Sequence, residues 1–128
     1  MNRLFMTGLA IIALMAAGCA RENDNEKLAD QITRAVKAND VSPVSEKFVP
    51  AAREKMTHEA VGRLSDELMP LGKFERTYEK TPDTAPAGTH FFDAKFEKQT
   101  WHERLALNNQ GDIIGWDIRP GPLASAAK

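Results

Sequence analysis

Thr89-His90-Phe91-Phe92-Asp93-Ala94-Lys95-Phe96-Glu97 and, after Lys98-Gln99, Thr100-Trp101-His102-Glu103-Arg104-Leu105-Ala106-Leu107 are two runs in which apolar residues return at every second position. A period of two sends alternate side chains to opposite faces of an extended chain, so both read as strands with one buried face. Working outward, Lys73 to Lys80 and Ile113 to Arg119 alternate in the same way, which makes four strands. Asn108-Asn109-Gln110-Gly111 is a turn between the last two, and the breaker-rich Thr81 to Gly88 is an exposed connection. Upstream of Gly72 the period becomes helical. Leu28, Ile32, Ala35 and Val36 mark a first helix running to about Asn39. Ser42-Pro43 opens a short helix that Pro50 interrupts, and Thr57 caps a third with Val61, Leu64 and Leu68 on its buried stripe. Pro70-Leu71-Gly72 ends that helix, and Pro120-Gly121-Pro122 stops the sheet. Helices followed by a meander predict an α+β fold, with N-terminal helices packed on a curved four-stranded antiparallel sheet.

Side-chain chemistry suggests a register, since opposed residues of an antiparallel pair share a face. Pairing Phe96 with Trp101 and Leu105 with Ile114 collects Phe92, Phe96, Trp101, Leu105, Ile114, Trp116 and Ile118 on one face. Asp93, Lys95, Glu97, His102, Arg104, Asp117 and Arg119 fall on the other. Glu103 is out of place, because it lands on the apolar face between Ala94 and Trp116. A buried carboxylate costs several kcal/mol unless it is paired. Setting Phe74 against Phe96 brings Arg76 beside Ala94 and so within reach of Glu103. Arg76, Tyr78, His90 and Glu103 are therefore the candidate pocket, with a structural ion pair as the competing explanation.

The other polar candidates carry less. His58 starts a helix and reads as a surface residue. His90 and His102 cannot face each other without a turn centred on Phe96, so no metal site is expected. His102 between Lys95 and Asp117 reads as an exposed salt-linked cluster. Ser42, Ser45 and Ser65 have no nucleophile-elbow context. Trp101 and Trp116 could stack on a sugar ring, although inward aromatics of a strand are more often core. No cofactor is implied.

The 17 Lys and Arg against 18 Asp and Glu give a net charge of −1. This balance offers no basic stripe for nucleic acid. The first 18 residues have the layout of a secretory signal: Arg3 near the start, an apolar stretch from Leu4, then small residues before the single cysteine, Cys19. Leu14-Met15-Ala16-Ala17-Gly18-Cys19-Ala20 resembles the lipobox of bacterial lipoproteins, with Ala16 where leucine is commonest. The resemblance implies cleavage before Cys19, a diacylglycerol on its thiol and usually a further acyl chain, such as palmitate, on its amine. Two chains give the stable anchoring that one does not. Ala20, rather than aspartate, implies sorting to the outer membrane, facing the periplasm. The expected organisation is a signal peptide over 1–18, a lipidated flexible tether over 19–26, one domain over 27–122 and a loose tail over 123–128.

Helices leading into a curved antiparallel sheet resemble the cystatin-like cone of the nuclear transport factor two superfamily. Met56-Thr57-His58-Glu59 through Leu71-Gly72-Lys73-Phe74, and Asn109-Gln110-Gly111-Asp112-Ile113-Ile114-Gly115-Trp116 up to Arg119-Pro120, are similar to a family of small bacterial secreted domains of unknown function. These occur alone in lipoproteins or joined to α/β-hydrolase domains. The shared motifs are structural and carry no catalytic residue. The expectation is a lipid-anchored, non-catalytic binding or accessory domain of the cell envelope, meeting an envelope protein or a small molecule. The alternative is a small envelope enzyme with Glu103 as acid or base and Arg76 as anion holder. An open cavity at Glu103 separates the two. Dimerisation through the sheet is a third possibility, disfavoured by the charged outer face.

Overall fold

The structure, a computed structural model, describes residues 21–123. It is α+β: helices α1 (Asp24–Lys37), α2 (Pro50–Arg53) and α3 (His58–Leu68) precede strands β1 (Phe74–Glu79), β2 (Thr89–Phe96), β3 (Thr100–Leu107) and β4 (Ile113–Arg119). The strands form one open antiparallel sheet in the order β1-β2-β3-β4. Short 3-10 turns occupy Ser45–Lys47 and Met69–Leu71.

The first helix begins earlier than its apolar stripe indicates. Asn23 accepts a hydrogen bond from the Glu26 amide at 2.7 Å, and Glu26 Oε1 accepts the Asn23 amide at 2.8 Å, a reciprocal capping box. Glu26 is buried, so the expected tether over 19–26 is corrected: residues 24–26 belong to the helix. Pro50 likewise starts α2 as its first residue and does not interrupt a helix, because a proline there lacks only an N–H that would go unpaired anyway. Thr57 caps α3 as expected, accepting from the Ala60 amide at 3.1 Å. The loose tail expected over 123–128 is corrected at its first residue, since the Leu123 amide donates to Asp93 Oδ1 at 2.9 Å.

Strand faces match the alternation, but the registers do not. β2 and β3 set Ala94 against Trp101 and Phe92 against Glu103, and β3 and β4 set Leu105 against Trp116 and Glu103 against Ile118. Each pairing is slid by two residues from the expected one. A slide of two leaves every side chain on its face, whereas a slide of one would turn the sheet inside out. Two irregularities do change faces. One between Phe74 and Arg76 puts Thr77, not Arg76, opposite Ala94. The other, at Ala106/Leu107, buries Ile113 and leaves Ile114 51% exposed, which corrects the placing of Ile114 on the apolar face.

The helices cover the apolar face. Ile32 and Val36 of α1, Val44, Phe48 and Leu68 pack on Phe74, Phe92, Phe96, Trp101, Leu105, Ile113 and Ile118. The Phe74 and Phe96 rings meet at 5.1 Å between centroids.

Helix α1 also seals the outer edge of the sheet. Glu26 accepts from the Glu79 amide at 2.7 Å, Asp30 from the Thr77 amide at 2.8 Å, and Arg34 donates to the Glu75 carbonyl at 3.1 Å. Every fourth helical residue thus meets every second strand residue. The match follows from geometry, since four helical residues rise about 6 Å and two strand residues about 6.7 Å. An edge that would template another strand is consumed inside the fold.

Candidate functional site

The four residues expected to line one pocket lie in three places. Glu103 is in the core, fully buried beneath α1, and holds two side chains from other elements. Thr33 of α1 puts its Oγ1 against Glu103 Oε1, and Trp116 of β4 donates its Nε1–H to Glu103 Oε2 at 3.0 Å. The Arg76–Glu103 pair is corrected. The irregularity ahead of Arg76 turns it to the outer side, where its guanidinium lies 3.5 Å from Glu26, 3.9 Å from Glu22 and 4.2 Å from the centre of the Tyr78 ring. Tyr78 is exposed on the outer face opposite Asp93. His90 sits at the end of the sheet near the start of α1, with Nδ1 2.8 Å from Glu79 Oε2.

The hydrogen-bond partners of the core site accommodate a protonated carboxyl. Thr33 Oγ1 is also 2.9 Å from the Ala29 carbonyl. A hydroxyl has one proton to give, and the carbonyl can only accept. If Thr33 donates to Ala29, the contact with Glu103 requires a proton on the carboxyl. Neutral Glu103 then donates to Thr33, Thr33 donates to Ala29, and Trp116 donates to the remaining oxygen. Electrostatics agree. Burial pushes the Glu103 carboxyl up to about 8, the hydrogen bonds of Thr33 and Trp116 oppose this, and the charges of Asp30 and Asp117 add to it. At neutral pH the site is a satisfied, uncharged acid, and every buried side-chain N and O of the described residues has a partner.

Two further carboxyls line the α1–β1 seam. Burial pushes Asp30 up to about 6, assisted by the adjacent Glu22 carboxyl and opposed by hydrogen bonds from Thr77. Burial works against charge on Glu79 as well, yet hydrogen bonds from Thr81, His90 and Asn23 hold its carboxyl below the usual range.

Among the described residues, no group of three or more His, Cys, Asp and Glu side chains is placed to hold a metal. His102 is corrected: its Nδ1 lies 3.0 Å from the Gly121 carbonyl, and Asp117 pairs instead with Arg104 at 2.9 Å. His58 is exposed at the start of α3, Trp101 is core, and Ser65 donates to the Lys37 carbonyl at 2.8 Å. Cys19 lies outside the described residues. A groove of about 590 Å³ runs between α1 and the Asp40–Lys47 segment and is lined by Gln31, Arg34, Ala35, Ala38, Asp40, Pro43, Val44 and Lys47. It does not reach Glu103.

Sequence reasoning missed Thr33 as the partner of Glu103. The signal was present: Thr33 shares the inward face with Ala29, Ile32 and Val36, where a hydroxyl needs a partner. Compared with known proteins, no family model, no curated sequence and no solved structure matches this chain.

Proposed function

We propose that the chain is a lipid-anchored, non-catalytic binding or accessory domain of the bacterial cell envelope, held through acylated Cys19 at the outer membrane and facing the periplasm, with a cystatin-like cone as its fold. The observation that carries the reading is the succession Leu14-Met15-Ala16-Ala17-Gly18-Cys19 followed at Asn23 by the capping box of α1. A lipidation motif thus stands four residues ahead of a folded domain. The order of helices and open antiparallel sheet is compatible with the cone.

The burial of Glu103 favours a binding or accessory role over acid–base catalysis. A general acid or base must come within hydrogen-bond reach of a substrate proton. Glu103 has no exposed surface, and its oxygens are engaged by Thr33 and Trp116.

Metabolic labelling with an alkyne fatty acid tests the anchor. The wild type takes up label and fractionates with membranes, whereas Cys19→Ser loses both. Label retained by Cys19→Ser would end the lipoprotein reading. Crosslinking of the acylated protein in envelopes, with thermal-shift measurements on the same material, distinguishes a stoichiometric protein partner from a small ligand.

A further inference from the structure

We propose that the outward face of α1 lies flat on the anionic bilayer surface to which the acyl chains of Cys19 tie it, with phosphate headgroups against a cationic groove at the far end of the helix. The proposal rests on the lipid-anchor reading above. Chain length supplies the first argument. Four residue steps separate Cys19 from Asn23, a span of at most about 14 Å when fully extended. The capping box therefore holds the start of α1 close to the membrane, and the 14-residue helix is about 21 Å long. Its far end lies near the headgroups if the helix is flat and well beyond them if it stands upright.

Charge decides between these orientations. Arg34, Lys37, Lys47 and Lys73 border two adjoining grooves of about 590 and 370 Å³, with Asp40 the one acid among their lining residues. Among the described residues none of these four cations is within ion-pair distance of a carboxylate. The charged ends of three of them meet neutral groups: the Arg34 guanidinium lies over the Phe74 ring at 4.9 Å, Lys37 Nζ is 3.9 Å from Met69 Sδ, and Lys47 Nζ is 2.9 Å from Gln31. None of these contacts neutralises the charge, so the groove keeps a positive field toward a facing surface. Met69, 57% exposed, stands beside them.

The opposite face offers no comparable attraction. On the outer side of the sheet Lys95 pairs with Glu75, and both Arg104 and Arg119 pair with Asp117. At the tether end of α1, Asp24, Glu46 and Asp112 line the continuation of the groove together with Lys27 and Lys47, so charge is nearly balanced there and the covalent link holds that end down. Screening limits the attraction to about 8–10 Å at physiological salt, which makes the short link a requirement.

The test uses the acylated full chain in vesicles of phosphatidylethanolamine with phosphatidylglycerol. Because the Cys19 thiol is taken by the lipid, one added cysteine is a unique site for a bimane dye. Ala38→Cys reports the far end of α1, Gln110→Cys the tether end, and Ile114→Cys the outer face of the sheet. The quencher is a headgroup spin-labelled lipid. The expected result is equal quenching of the Ala38 and Gln110 sites, several-fold above the Ile114 site. Replacing Lys37, Lys47 and Lys73 by glutamine should then lower the equilibrium constant for the flat orientation, read from quenching at the Ala38 site, about five-fold per lysine. Quenching at Gln110 alone overturns the flat orientation, as does an Ala38 site covered by an acidic protein partner and left unquenched. Failure of the protein to float with vesicles overturns the anchor together with the orientation, whereas flotation with an unquenched Ala38 site overturns the orientation alone.

Discussion

Replacing Glu103 by glutamine should make the domain more stable at mildly alkaline pH. Glutamine has the shape of a protonated glutamate, accepts from Trp116 and donates to Thr33, so it reproduces the neutral state of the site at any pH. The wild-type carboxyl titrates from an ordinary value of 4.5 in the unfolded chain to about 8 in the fold. Between these values the folded state binds more protons than the unfolded one, and stability falls as pH rises. Below 4.5 both states are protonated and the advantage is constant, while above about 8 both are ionised and the loss is complete. Each unit of the window is worth about 1.4 kcal/mol. From pH 6 to 8 the wild type should therefore lose roughly 2 to 3 kcal/mol relative to Glu103→Gln, a large share of a typical domain's 5–15 kcal/mol. Urea unfolding followed by tryptophan emission measures the difference, because Trp116 is bonded to the substituted group. Parallel pH profiles for the two proteins, or a glutamine variant several kcal/mol weaker at pH 8, would show that Glu103 is ionised in the fold and refute the proton accounting.

Thr33→Val keeps the side-chain shape but leaves the Glu103 hydroxyl without an acceptor, and should cost about 1–3 kcal/mol at pH 6 by urea denaturation. The same substitution made on Glu103→Gln should cost a similar amount, since the amide donor is stranded in turn; an unchanged midpoint in both would dispose of the Thr33 contact. Asp30→Asn should flatten the pH dependence between 3.8 and about 6, where the raised carboxyl makes the wild type lose stability as pH rises. A pH profile of this variant identical to the wild type across that window would show that Asp30 titrates normally. Gly88 has φ +81°, and a Cβ there would stand 2.5 Å from the backbone carbonyl oxygen of Leu107. Gly88→Ala should accordingly lose at least about 1–3 kcal/mol of unfolding free energy, and a neutral result would mean that the loop before β2 is placed differently.

Much of the fold was legible because the period of hydrophobicity survives local detail. The runs Thr100–Leu107 and Ile113–Arg119 are the strands β3 and β4, and the inward side of β2 and β3 was read correctly. Register was not legible for an identifiable reason. Phe96-Glu97-Lys98-Gln99 contains no glycine, proline or asparagine to mark its turn, so a hairpin centred one residue later fitted the side chains equally well. The irregularities near Glu75 and Leu107 left no composition signal either, yet they decide which way Arg76 and Ile114 point. Glu103 was recognisable as an anomaly because face assignment tolerates a slide of two residues. Its partners were not, because Thr33 lies 70 positions away and Trp116 reaches it diagonally across the β3–β4 pair. The Asn23–Glu26 capping box was written in the sequence and was obscured by the polarity of its neighbours.

The central claim is attachment at Cys19, and intact-mass analysis of the protein extracted from membranes tests it most directly. The account predicts a chain that begins at Cys19 and carries a diacylglyceryl thioether and an acylated amine. A chain that retains Ala17-Gly18 ahead of Cys19, or a free Cys19 thiol, would contradict it.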